Sequence, residues 1–310
     1  MNPVFARVFG EPVPSFFLFI ALAYLLAGVV FVGTAAYERR NADACVDLAL
    51  LTVVAGIAGG RVAHVLFDGH LADYIHLCTA PELVDWPLDR TTCLSPEWGG
   101  VWDVASKSCH PAHADCFAWA RFWSGGLTFY GGLFAAIAAG VWSAKRDGLG
   151  MLYALDLAAM AVPLGLSVGR IGCFFAGCCF GAPTSSATGV VFPPLSDASV
   201  AQAKLGLIAS KSAWSLPVHP TQLYESAGAL VIAALVAFLV RPRRTRDGEP
   251  FLAFCIMYAA LRFGLEFLRA DERGGQLGLS TSQWLSLVLV VGAVVLTHAL
   301  RRDGTARRPS

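Results

Sequence analysis

The sequence predicts an all-α integral membrane protein of about seven transmembrane helices, with the N-terminus outside and the C-terminus in the cytoplasm. Three observations lead there. The 310-residue chain is 56% hydrophobic and only 15% charged, whereas a soluble domain carries about a quarter charged residues. Seven apolar runs, 15–37, 45–67, 125–144, 151–171, 222–240, 251–267 and 284–300, approach the roughly 20 residues that cross a bilayer as helix. Basic residues follow the odd-numbered runs: Arg39 and Arg40, then Lys145 and Arg146, then Arg241, Arg243, Arg244 and Arg246, then Arg301, Arg302, Arg307 and Arg308. All four clusters share the cytoplasmic side only if the number of spans is odd and the N-terminus lies outside.

Taken in order, the first run follows no basic segment and no small-residue cleavage site, so it is expected to stay in the protein. The second and sixth runs are the weakest, because they contain Arg61 and Arg262. A charge facing lipid is costly, so both are expected to face a shared polar interior. The predicted organisation is one polytopic membrane domain over 1–300 and a basic cytoplasmic tail over 301–310. Two extracytoplasmic segments interrupt it, a Cys-containing insertion at 68–122 and an arm or cap at 182–220. The insertion holds Cys78, Cys93, Cys109 and Cys116, read as two disulfides in one of three pairings. A zinc site using His110 and His113 is the weaker alternative, since no CxxC pair is present. A net charge of +1 leaves no electrostatic footprint for nucleic acid.

Five groups near the span ends could carry chemistry: residues 59–64 with Arg61 and His64, 125–133 with Tyr130, Gly131 and Gly132, 169–181, 219–225 and 262–269. The third, GRIGCFFAGCCFG, holds Arg170, the glycines Gly169, Gly172, Gly177 and Gly181, and the thiols Cys173, Cys178 and Cys179. Glycines at this density permit close approach of backbones or of a ligand. The stretch reads as the floor of an intramembrane site for an anionic headgroup. In the last group Arg262, Glu266 and Arg269 fall at i, i+4 and i+7, one helical face. Arg61, Arg170, Arg262 and Arg269 outnumber the acids expected in the membrane. The unmatched charge calls for an anion, and a phosphate suits paired guanidinium hydrogen bonds. His219-Pro220-Thr221 reads as a helix start, with His219 and Tyr224 beside the site. Cys173, Cys178 and Cys179 also permit a disulfide, a thiol relay or a soft-metal site.

The GRIG block, HPTQLYE over 219–225, RFGLEFLR over 262–269 and LSTSQWLS over 279–286 together resemble the prolipoprotein diacylglyceryl transferase family. The resemblance implies a seven-span enzyme of the bacterial inner membrane, with its active site opening toward the periplasmic leaflet. It would move diacylglycerol from phosphatidylglycerol to the lipobox cysteine thiol in the signal peptide of a lipoprotein precursor, with no metal or organic cofactor. By the same resemblance Arg170 and Arg262 would be catalytic and hold the phosphate, and Tyr130 and His219 are the further catalytic candidates. Arg61, Gly131, Gly132, Gly169, Gly172, Gly181, Tyr224, Glu266 and Arg269 would contact substrate. The family's HGGL motif is Tyr130-Gly131-Gly132-Leu133 here, so either a positive pocket would ionise the thiol without a histidine, or His64 or His219 would replace the base. Cys173 and Cys178 stand where the family has an asparagine and an acid, and the family's Arg-Trp-Tyr-Gly patch is missing from span one. Two alternatives stand beside this reading: a paralogue with thiol, redox or soft-metal chemistry at the three cysteines, and a non-catalytic phospholipid-binding protein.

Overall fold

The computed structural model describes residues 4–8, 11–95, 98–122, 126–269, 275–276 and 278–302. Gly125, which opens the third predicted run, and residues 303–310 of the basic tail lie outside them. In chain order the helices are α1 (Ser15–Tyr37), α2 (Ala42–Phe67), α3 (Leu71–Thr79), α4 (Arg90–Cys93), α5 (Phe129–Arg146), α6 (Met151–Ala176), α7 (Asp197–Lys204), α8 (Thr221–Leu235), α9 (Glu249–Glu266) and α10 (Thr281–Arg302). Three two-stranded antiparallel hairpins accompany them: β1 (Val4–Val8) with β2 (Glu11–Pro14), β3 (Gly100–Asp103) with β4 (Ser108–Pro111), and β5 (Gly275–Gln276) with β6 (Leu279–Ser280).

Each predicted run is a helix, and five meet the length and apolarity of a membrane span: Ser15–Tyr37, Ala42–Phe67, Met151–Ala176, Thr221–Arg243 and Thr281–His298. The run holding Arg61 is among them, against the expectation that it is one of the weakest. The two that fall short are α5, only 18 residues long with Lys145 and Arg146 in its last turn, and α9, which carries Glu249, Arg262 and Glu266. Leu25, Val29, Leu50, Val54, Phe238, Val288, Val291 and Val295 all face outward. In water so much exposed apolar surface would aggregate, and in lipid it is solvated. The protein is therefore a mostly helical membrane protein.

The chain divides into two compact units, Met1–Cys45 with Leu149–Ser310, and Val46–Gly148. In the first unit α6 is the central helix, packed against α1, α8 and α9, while α10 lies on α9. Small residues let α1 approach: a Cβ on Gly172 would stand 2.8 Å from Phe19 Cβ, and one on Gly165 would stand 3.3 Å from the Ala23 carbonyl. Ser226 of α8 donates to the Ser167 carbonyl of α6 at 2.8 Å. Buried Asp156 of α6 accepts the backbone N–H groups of Gly248 (2.7 Å) and Phe251 (3.1 Å), and so supplies the N-terminus of α9 with acceptors its own sequence lacks. At the same end, Glu38 after α1 accepts from Arg241 and Arg244 after α8, both at 2.8 Å. The basic clusters that follow the first and fifth runs therefore meet at one end of this unit.

Segment 181–190 pairs with 217–219 and closes a small core of Phe192, Ala198 and Val218, flanked by Phe174, Phe180 and Val190. It lies at the far end of α6. In the second unit α2 and α5 run antiparallel, tied by Arg146 to Asp47 at 2.8 Å. Residues between them form a lobe in which Cys78 pairs with Cys116 and Cys93 with Cys109. This selects one of the three pairings and removes the zinc alternative. The four thiols are consumed, and His110 is held by the Val84 carbonyl (3.0 Å) and Ser108 (2.8 Å).

Replacing Asp156 by Ala leaves two buried N–H groups unpaired, which costs about 2 kcal/mol; thermal unfolding in detergent should report a clear loss, and Asp156→Asn should retain more stability than Asp156→Ala. An unchanged midpoint in both variants would refute this role for Asp156.

Candidate active site

The residues of the first unit converge on the end of α6. Arg170 lies six residues before the helix terminus, about 9 Å along the axis at 1.5 Å per residue. Its Nε is 2.9 Å from Glu225 Oε2 and its Nη2 donates to Glu225 Oε1 at 3.0 Å. Glu225 comes from α8, is 1% exposed, and also accepts from Tyr258 of α9 at 3.2 Å. Arg262 pairs with Glu266 at 2.8 Å, one turn later on α9, and reaches Ser282 of α10 at 3.2 Å. Its Nη1 is buried with no hydrogen-bond partner among the described residues, a donor still to be satisfied.

These pairs correct the expectation of unmatched positive charge, since Arg170 and Arg262 each have a buried acid. Glu225 and Tyr258 are the residues that sequence reasoning missed. A signal existed: Thr221, Gln222, Glu225, Ser226 and Ala229 are all buried, the pattern of one helical face, and that face carries an acid. The ladder of Arg262, Glu266 and Arg269 is also shorter than expected. Helix α9 ends at Glu266, so Arg269 leaves that face and bridges the backbone of Gly181 instead.

The turn after α6 has a local cause. Gly177 adopts a left-handed φ of 79° and its N–H returns to the Cys173 carbonyl at 3.0 Å, ending the helix. Cys179 is left-handed as well, at φ 60°, a conformation that costs a non-glycine residue about 1 kcal/mol or more. The start of α8 holds it in place. Thr221 donates to the Cys179 carbonyl at 2.8 Å and Gln222 to the Cys178 carbonyl at 2.6 Å. Gly181 sits where a Cβ would stand 2.5 Å from the Leu268 carbonyl and 2.8 Å from His219 Cβ. This explains why HPTQ, GCCFG and the end of RFGLEFLR belong together. His219 lies in this knot with its Nδ1 buried and without a partner among the described residues. Tyr224 points to the cap, its hydroxyl 2.6 Å from that of Thr188. Gly172 packs on α1, and Gly169 meets only Ile20 Cδ1, at 3.5 Å. The thiols of Cys173, Cys178 and Cys179 lie within 4.8 Å of one another.

The second unit places the remaining predicted residues. Arg61 is 5% exposed and donates to the carbonyls of Trp119 (2.6 Å), Ala118 (2.7 Å) and Gly126 (3.1 Å), stacked over Tyr74. Its charge is thus spread over backbone acceptors of its own unit. Gly131 and Gly132 form the contact of α5 with α2: a Cβ on either would stand within 3 Å of the carbonyl of Gly59 or Gly56. Tyr130 is half exposed, its ring edge-on to Phe129. Beside the start of α5, His64 Nδ1 is 2.9 Å from Asp68 Oδ2, which also accepts from Thr128 at 2.5 Å. Those bonds, from Thr128 and then His64, hold the Asp68 carboxyl below the usual carboxylate range. The carboxylate therefore orients His64 at neutral pH, and the contact is lost only as pH falls through that lowered value.

Gly181→Ala should lower the unfolding midpoint by an amount equivalent to about 1–3 kcal/mol through the clash with Leu268 and His219, whereas Gly169→Ala should be nearly silent. Equal effects at the two glycines would contradict this difference in packing.

Comparison with known proteins bears on the family. The profile of the family described as Prolipoprotein diacylglyceryl transferase matches residues 104–299. The phosphatidylglycerol–prolipoprotein diacylglyceryl transferase 2 of Clostridium perfringens (strain 13 / Type A) is 25% identical over 98% of this chain and 97% of its own. The phosphatidylglycerol–prolipoprotein diacylglyceryl transferase of Azoarcus sp. (strain BH72) is 32% identical over 90% of this chain and 89% of its own. That of Aromatoleum aromaticum (strain DSM 19018 / LMG 30748 / EbN1) is 28% identical over 98% of both chains. The profile covers more than half of the chain and these relatives nearly all of it; the chain belongs to the prolipoprotein diacylglyceryl transferase family.

Proposed function

We propose that this protein is a phosphatidylglycerol–prolipoprotein diacylglyceryl transferase. The observation that carries the reading is near full-length similarity to relatives of that name. In this reading the acceptor is the lipobox cysteine in the signal peptide of a lipoprotein precursor. Its thiolate sulfur bonds to the glyceryl carbon of diacylglycerol as the carbon–oxygen bond to phosphate breaks, and the electron pair leaves on glycerol phosphate. Arg170 and Arg262 bind the phosphate and stabilise the charge that grows on it. The buried, unpartnered Nη1 of Arg262 supports that role, and Glu225, Tyr258 and Glu266 fix the guanidinium planes. Arg61, Gly131, Gly132, Gly169, Gly172, Gly181, Tyr224 and Arg269 shape the sites for lipid and peptide.

The topology proposed is seven spans in a single polytopic domain, N-terminus outside and C-terminus inside, in the bacterial inner membrane. The site opens toward the periplasmic leaflet. The arrangement of basic residues and the oxidised lobe support this orientation. In place of the family's histidine at Tyr130, the proton acceptor is His64, oriented by Asp68, or His219.

Purified protein with labelled phosphatidylglycerol and a lipobox peptide tests the reading. Arg170→Lys and Arg262→Lys should each lower kcat about 100-fold, and the paired Arg170→Gln/Glu225→Gln variant should fold yet transfer nothing. Lipid binding without transfer by the unaltered protein would instead identify a non-catalytic phospholipid-binding member.

Substitution of the base by Gln should slow transfer at pH 7 and be rescued near pH 9, because a thiol of pKa near 8.5 then ionises unaided. Comparing His64→Gln with His219→Gln identifies which histidine it is. Loss without rescue in both would rule out a histidine base.

A further inference from the structure

The three thiols after Arg170 are not required by the transferase reading. Cys173 lies on the last turns of α6, and Cys178 and Cys179 follow the left-handed Gly177 that reverses the chain. The reversal brings all three Sγ atoms within 4.8 Å of one another. The arrangement is fixed from outside the cysteines themselves: Thr221 and Gln222 hold the carbonyls of Cys179 and Cys178, and keep Cys179 at its positive φ. Other free thiols behave differently. Cys45 and Cys255 are buried singly on helices, the ordinary packing role of the residue.

We propose that Cys173, Cys178 and Cys179 form a three-thiolate site for a soft closed-shell metal ion, copper(I) in the first place. Soft thiolates select copper(I), zinc and iron–sulfur centres over harder ions. Around a trigonal ion with metal–sulfur bonds of about 2.3 Å, three sulfurs stand about 4.0 Å apart, so the cluster needs to contract by less than an ångström from its 4.8 Å span. Zinc in structural sites takes four ligands, and among the described residues no fourth histidine, cysteine or carboxylate joins the group. Copper(I) is satisfied by three.

The surroundings suit an anionic cluster. Arg170 is one turn before Cys173 on α6, and Arg269 bridges Gly181, two residues past Cys179. The charges of Arg170 and Arg269 both act on the Cys179 sulfur. Three thiolates and one monovalent ion carry two negative charges, which these guanidinium groups face. Binding releases the thiol protons that remain.

The test uses the full-length protein in detergent with its two disulfides intact, titrated anaerobically with copper(I) against a chromophoric copper(I) chelator, and in parallel with zinc(II). One copper(I) per chain is expected, with three sulfur neighbours by X-ray absorption. Cys178→Ser should weaken binding at least 100-fold, and the triple variant Cys173→Ser/Cys178→Ser/Cys179→Ser should abolish it. Cys45→Ser/Cys255→Ser should bind as the unaltered chain does. Because binding is read without turnover, the result is independent of whether transfer occurs. Unchanged stoichiometry in the triple variant, tighter binding of zinc(II) than of copper(I), or a disulfide among the three cysteines in anaerobically purified protein would each overturn the proposal.

Discussion

A guanidinium group inside an apolar chain must be neutralised where it sits, and the pair of Arg170 with Glu225 meets that demand at the centre of the first unit. Breaking a buried pair costs about 3–5 kcal/mol, because the remaining charge is left uncompensated. The partners belong to α6 and α8, so the pair also fixes how these helices face one another. Tyr258 adds α9 to the same carboxylate, at 3.2 Å. Three helices thereby share one polar point. Under the proposed function the same point holds the residue that would bind phosphate, which would tie stability and binding to one interaction.

Around that point the polar groups follow one rule: backbone atoms freed by irregular structure are met by side chains from a neighbouring helix. The chain reversal after α6 exposes carbonyls that Thr221 and Gln222 satisfy. The N-terminus of α9 lacks a capping side chain of its own, and Asp156 of α6 supplies it. In the second unit Arg61 plays the corresponding part for the carbonyls of Ala118, Trp119 and Gly126. Irregular backbone is tolerated within a membrane protein only on these terms. Two arginines that look alike in the sequence thus separate by their partners. Arg61 is taken up by its own unit's backbone, whereas Arg262 retains a buried donor without a partner among the described residues.

Glycine divides in the same way. Gly131 and Gly132 permit α5 to touch α2, Gly172 permits α6 to touch α1, and Gly177 and Gly181 serve a turn and a backbone crossing. These are packing and conformational tasks, and a motif rich in glycine reports them as readily as it reports a ligand. The Cys173, Cys178 and Cys179 cluster is the feature for which packing provides no account.

The sequence by itself determined the solvent and the class of fold. Apolar composition, run length and the positions of basic residues are summed quantities, and each predicted run is a helix within a few residues at either end. It also determined the family, because HPTQLYE, RFGLEFLR and the GRIG block are contiguous strings. It identified an even set of cysteines in one segment but not their pairing, since three pairings satisfy the same composition. Only tertiary structure decided which charges meet. Glu225 is 55 residues from Arg170, and no local pattern links an acid on one helix to a base on another. Only tertiary structure ended α9 at Glu266 and carried Arg269 to Gly181, because helix termination depended on a backbone partner far along the chain. The approach of three sulfurs was likewise hidden in a spacing that a helix would have spread around its circumference. The left-handed residues at 177 and 179 gathered them instead.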